Sequence, residues 1–192
     1  MALKYSLTIE SDSSKDANHH DREVLRLYGF RSSVTGNALS KLAKRVTNGL
    51  MGLDAHPSVT FEPFYFFFYG SLQLPRVVKA VCQMNLSGPD PELKAGTIKG
   101  WETMMWSIYP ALLPKAGNVV KGLYWKCENP FHVFKLRNYE GQAYRMEFCE
   151  ITTDQGEVIE NGRVFVSTMD KTELNEGIFD LEEYSKRGRL GG

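Results

Sequence analysis

One short segment restricts what this chain can become more than any other. It is the run Phe64–Gly70, FYFFFYG, which follows Pro63 and ends on a glycine. Such an unbroken aromatic run has no polar face, so neither an amphipathic helix nor a surface strand accommodates it. A strand buried on both faces does, and it predicts a central strand. Pro75 then suits the first turn of a helix, where its missing N–H costs nothing. Val77, Val78, Val81 and Cys82 supply that helix with an apolar stripe. The local plan is strand, tight loop, helix.

The flanking sequence can be read in the same way. Residues 10–22, ESDSSKDANHHDR, offer almost nothing to bury and are expected to be mobile. Helical spacing returns at Val24–Leu27 and again over 37–53, where Leu39, Leu42, Val46 and Leu50 recur every three or four residues. One amphipathic helix is expected there. His56-Pro57 and Glu62-Pro63 punctuate the chain. They suggest a partly disordered extension over residues 1–60 and a domain over 61–192.

Within that domain, Gly96–Trp106 and Val119–Cys127 read as strands. The second carries Val119, Leu123, Trp125 and Cys127 on one face, and Gly122 leaves room on the other. Tyr109–Asn118 reads as a loop between them. Asn129-Pro130 is an N-cap and first-turn pair for a short helix that must stop near Gly141. Tyr144, Met146 and Phe148 then form the buried face of a strand, with Arg145, Glu147 and Cys149 on the other. A turn at 154–156 and a strand at Arg163–Ser167 follow. Phe179, Leu181 and Tyr184 mark a short docking helix before a glycine tail. These elements predict an α+β domain with a curved or barrel-like sheet.

Composition removes several function classes. Lysine plus arginine and aspartate plus glutamate number 23 each, so no net field draws the chain to nucleic acid or to an anionic membrane. No apolar run approaches the ~20 residues that span a bilayer, and the start shows no signal-peptide pattern. A cytoplasmic location is the default expectation. The three cysteines show no CxxC spacing and the four histidines no HExxH, so neither a disulfide framework nor a metal site is expected. Cys127 and Cys149 fall on predicted strands and read as small core residues.

Two places carry chemistry. Gly70 and Ser71, between a buried strand and a helix, form a loop whose N–H groups can converge on an anion or oxyanion, although a plain tight turn explains them equally. Glu140 stands between Tyr139 and Gly141, where a helix must end, and a solvated cap is its ordinary role. Glu147 alternates outward and Glu150 ends its strand. Trp101, Trp106 and Trp125 read as core or pocket wall.

Taken in order, several strings resemble the gamma-glutamylcyclotransferase-like superfamily, in particular its avirulence-induced plant and fungal branch. FFFYGSLQLPRVV is similar to that branch's opening strand, its Tyr-Gly-Ser-Leu loop and the following helix. SIYPAL, VVKGLYW, LRNYEGQAYRMEFCEI and FDLEEYSKR resemble later elements in the same order. The resemblance covers Phe64 to about Arg189. One departure concerns Arg145, which directly follows Tyr144 where the family has an intervening residue, so Arg145 inherits no role.

The resemblance implies an α+β fold with a small mixed, barrel-like β-sheet flanked by short helices. It also implies a cofactor-free enzyme that cyclises a gamma-glutamyl amine or amino acid to 5-oxoproline with release of the amine. Glu140 would be its acid/base, and Tyr69, Gly70, Ser71, Leu72 and Tyr144 would bind the substrate. The expected partner is a small gamma-glutamyl molecule, not nucleic acid or membrane. A non-catalytic module that binds a small ligand or peptide on the same fold is the alternative.

Overall fold

The computed structural model describes residues 13–49 and 58–187, and the chain divides into two compact units at Glu62/Pro63. In the first unit, helix α1 (Ser13–Leu27) and strand β1 (Phe30–Ser32) precede helix α2 (Gly36–Thr47) and strand β2 (Val59–Phe61). The polar stretch expected to be mobile is helical from Ser13 onward. Its stabilisation comes from tertiary contacts and not from its own apolar content. α1 packs on α2, Leu25 is buried, Arg22 donates to the carbonyls of Ser32 and Val34, and the Ser40 hydroxyl donates to Asp21. The unit therefore holds two helices where one was expected. Leu39, Leu42 and Val46 of α2 are buried as their spacing requires, while Leu50 and His56-Pro57 lie outside the described residues.

The second unit is a closed five-stranded barrel. Its strands are β3 (Phe64–Phe68), β4 (Lys94–Trp106), β5 (Tyr109–Cys127), β6 (Tyr144–Thr153) and β7 (Val158–Ser167), in the order β3-β5-β4-β6-β7. The aromatic run is central, antiparallel to β5 on one side and parallel to β7 on the other. Its alternate residues feed two layers. Phe67 enters the interior with Ile98, Leu112, Val120, Tyr124, Cys149, Ile151, Val164 and Val166. Phe64, Phe66 and Phe68 face outward, where Phe66 stacks on Phe165 at 5.5 Å and Phe68 on Trp125 at 6.4 Å.

Two helices, α3 (Pro75–Val81) and α4 (Pro130–Glu140), pack against each other, and α4 also meets β5 and β6. Asn129 caps α4 by accepting from the Phe131 N–H at 2.9 Å.

The sheet differs from the expected one in three respects. Tyr109–Asn118 is strand and not loop, because β4 and β5 form one long hairpin that pairs from Trp106↔Tyr109 to Lys94↔Tyr124. Pro110 and Pro114 sit in the part of β5 that β3 does not reach, where no ladder N–H is required of them. In β5, Val120 and Tyr124 point inward, and Val119 is exposed. Gly122 is needed for close approach, since a Cβ there would stand 2.3 Å from the Phe68 carbonyl oxygen. In β6, Cys149 belongs to the interior and not to an outer polar face.

Candidate active site

Where β3 ends and β6 begins, a cavity of about 350 Å³ opens in the second unit. The segments that meet there are far apart in sequence. Tyr69, Gly70, Ser71 and Leu72 come from the turn after β3, Tyr139 and Glu140 from the end of α4, and Tyr144 from the start of β6. Trp106, Tyr109 and Pro110 come from the hairpin end, Phe165 from β7, and Tyr184 from helix α5 (Leu181–Arg187). The structure thus brings together every residue singled out for the site: Glu140, Tyr69, Gly70, Ser71, Leu72 and Tyr144. Glu147 is tied to Arg145 at 2.6 Å instead, and Glu150 is exposed.

The turn is a single 3₁₀ step, Ser71–Gln73, running into α3. The first donor inside the turn is the Gln73 N–H, to the Gly70 carbonyl at 3.1 Å, so the N–H groups of Ser71 and Leu72 stand ahead of its internal bonds. Gly70 packs face-on to Pro110, whose Cγ would lie 3.0 Å from an added Cβ. Opposite, α4 stops because Gly141 takes a left-handed φ of 66°. Arg137 donates to the Gly141 carbonyl and pins that stop. Glu140 is thereby left as the last helical residue, facing the cavity.

Glu140 is the only charged side chain lining this cavity among the described residues. Burial raises its pKa to about 7, against a smaller downward pull from Arg137. Its place at the negative end of α4 acts in the same upward direction. A carboxyl in that range can both take and return a proton near neutrality.

Three of the phenols around Glu140 are held neutral. Burial lifts Tyr69 and Tyr144 well above the ordinary phenol range, with the Glu140 charge adding to it, and pushes Tyr139 up to about 12. The Tyr69 hydroxyl donates to the Phe165 carbonyl at 2.7 Å and that of Tyr144 to the Pro110 carbonyl at 3.1 Å. Both rings serve as fixed walls. Ser71 Oγ and Tyr139 OH lie 3.0 Å apart and tie the turn to α4.

Sequence reading did not single out Tyr139, Pro110, Phe165 or Tyr184 for the site. Signals were present all the same: Tyr139 stands beside Glu140, and Pro110 and Tyr184 lie in the SIYPAL and FDLEEYSKR strings. The cysteines Cys82, Cys127 and Cys149 are buried free thiols, each pushed up to about 12 chiefly by burial, so a thiolate nucleophile is disfavoured. Among the described residues no group of three or more His, Cys, Asp or Glu is placed to hold a metal. No helix among them is long and apolar enough to cross a membrane.

Residues 66–186 match the family model described as gamma-glutamyl cyclotransferase, AIG2-like. The chain belongs to this family. The matched span begins inside β3 and ends in α5, so the gamma-glutamyl cyclotransferase family region contains all of the barrel except Phe64 and Tyr65, and every lining residue of the cavity. Two solved Arabidopsis thaliana proteins share the fold. One is 19% identical with a TM-score of 0.52, covering 68% of this chain and 86% of its own. The other is 16% identical with a TM-score of 0.51, covering 68% and 78%. A search of curated proteins gave no match.

Proposed function

We propose that the second unit is a gamma-glutamyl cyclotransferase, with Glu140 as its acid/base. The observation that supports this most directly is geometric: the Glu140 carboxyl lines the same cavity as the Tyr69–Leu72 turn and is the only charged group there among the described residues. Both ends of an intramolecular reaction need one carboxyl between them and a surface that holds the substrate folded back.

In the reaction, ionised Glu140 takes a proton from the substrate's α-ammonium. The freed nitrogen attacks the γ-carbonyl carbon, and the new C–N bond closes the five-membered ring. The bond to the departing amine then breaks, and that nitrogen receives the proton from Glu140. The attacking nitrogen's second proton leaves with the amine product, which becomes an ammonium, and 5-oxoproline remains. The N–H groups of Ser71 and Leu72 would face the γ-oxygen as it gains charge, or the α-carboxylate. Tyr69 and Tyr144, anchored through their hydroxyls, set the shape in which this happens.

The test is 5-oxoproline release from a panel of gamma-glutamyl amides by wild type and Glu140→Gln. The wild type is expected to turn over and the variant to lose at least about 100-fold in kcat. Wild-type rates in the variant would refute the mechanism. Tight binding without turnover would identify a binding module instead.

A further inference from the structure

We propose that the leaving amine is aromatic or apolar and lies along a strip of rings, Trp106, Tyr109, Tyr184 and Phe179, running outward from the cavity. The proposal rests on the cyclotransferase reading of Glu140 and names the substrate class of that site.

Exposure gives the cavity a direction. At its inner end Phe67, Phe68, Leu72 and Phe165 are all buried, whereas Trp106 and Tyr109 at its outer end are 37% and 42% exposed. The glutamyl part, which needs the turn and Glu140, fills the inner end. Whatever is attached through the scissile nitrogen must leave by the outer one.

The outer wall is continuous. Ring centroids are 6.2 Å apart for Trp106 and Tyr109, 6.5 Å for Tyr109 and Tyr184, and 5.6 Å for Tyr184 and Phe179. Tyr184 and Phe179 also line a smaller hollow of about 170 Å³. Ile108 and Ile178 line it too, and they stand 39% and 94% exposed. Two solvent-facing isoleucines beyond a line of rings favour a hydrocarbon or aromatic body over a hydrated one.

Charge points the same way. The cavity offers Glu140 and the hollow Asp180 and Glu183, with no lysine or arginine among the described lining residues. Among the described residues, a leaving group ending in a carboxylate would meet the like charges of Glu140 and Asp180 there. A more polar recess with Gln73, Glu102 and Lys121 shares Tyr69 and Pro110 with the cavity and Phe179 with the strip, but does not include Glu140.

The experiment compares gamma-glutamyl-phenethylamide, gamma-glutamyl-ethylamide, gamma-glutamyl-glycine and gamma-glutamyl-(4-aminobutyl)amide on the full chain. Both 5-oxoproline release by wild type and calorimetric binding to Glu140→Gln are measured. The phenethyl compound is expected to exceed the ethyl one by about tenfold in kcat/KM and in affinity. Trp106→Ala and Phe179→Ala are each expected to shrink that ratio by roughly threefold or more. Equal values for the phenethyl and ethyl compounds, or a best value for a charged end, overturn the proposal. If nothing is cyclised, the cyclotransferase reading fails, and the calorimetric ratio still decides on the strip.

Discussion

Replacing Glu140 by glutamine should abolish turnover and at the same time stabilise the barrel, by an amount that depends on pH. Burial raises the Glu140 pKa from the model-compound value of 4.5 to about 7. The folded protein therefore holds this proton more tightly than the unfolded chain does. Wild-type stability from this group is fully present below about pH 4.5 and declines as pH rises toward 7, where the native carboxyl ionises. At about 1.36 kcal/mol for each pKa unit, the ionised carboxylate costs about 3 kcal/mol at pH 8, but less than about 1 kcal/mol at pH 5. Glutamine keeps the shape without the charge, so its advantage should be larger at pH 8 than at pH 5 by about 2 kcal/mol. Urea unfolding followed by tryptophan fluorescence measures this in the relevant unit, because Trp101, Trp106 and Trp125 all lie in the barrel. The same glutamine advantage at both pH values would show that the carboxyl is not desolvated, and the case for a proton shuttle would go with it.

The same carboxyl predicts that kcat/KM for cyclisation rises with pH through a midpoint near 7. Arg137→Gln, which removes the opposing positive charge, should move that midpoint upward in a pH-rate profile. Gly122→Ala should destabilise the barrel by at least about 3 kcal/mol in urea unfolding, since its Cβ would fall 2.3 Å from the Phe68 oxygen and 2.7 Å from the Phe67 ring. Arg163 is buried between the rings of Phe64 at 4.5 Å and Phe148 at 4.1 Å and donates to the Asn161 carbonyl. Arg163→Lys, which cannot reproduce a flat guanidinium between two faces, should cost about 2 kcal/mol by the same measurement. Tyr144→Phe should cost about 1 kcal/mol, because it leaves the Pro110 carbonyl without its donor.

The parts of the fold legible in the sequence are those whose residues state their own environment. The Phe64–Phe68 run could only be a buried strand, and Asn129-Pro130 and Gly141 marked both ends of α4. The arm formed by β4 and β5 was hidden for two reasons. Prolines and a glycine interrupt its outer part, and its turn at Ser107-Ile108 lacks the usual Asn-Gly pair, with Ser107 itself taking a φ of 56°. Helix α1 was hidden because its supporting contacts come from α2 and the β1 region, which no local window contains. At the site, Glu140 and the Tyr69–Leu72 turn stood out through the family resemblance, since in isolation each reads as an ordinary helix end or turn. Tyr139, Pro110, Phe165 and Tyr184 are unremarkable one at a time, and only the barrel's curvature assembles them.

The parallel pairing of β3 with β7 makes the first strand of the barrel a neighbour of the last. A ribosome must therefore release the chain through Ser167 before Phe64–Phe68 can acquire its second partner. Until then the most greasy stretch of the polypeptide waits with one flank open. A nonsense codon between Phe68 and that point would leave a product prone to self-association, whatever the integrity of the residues already made.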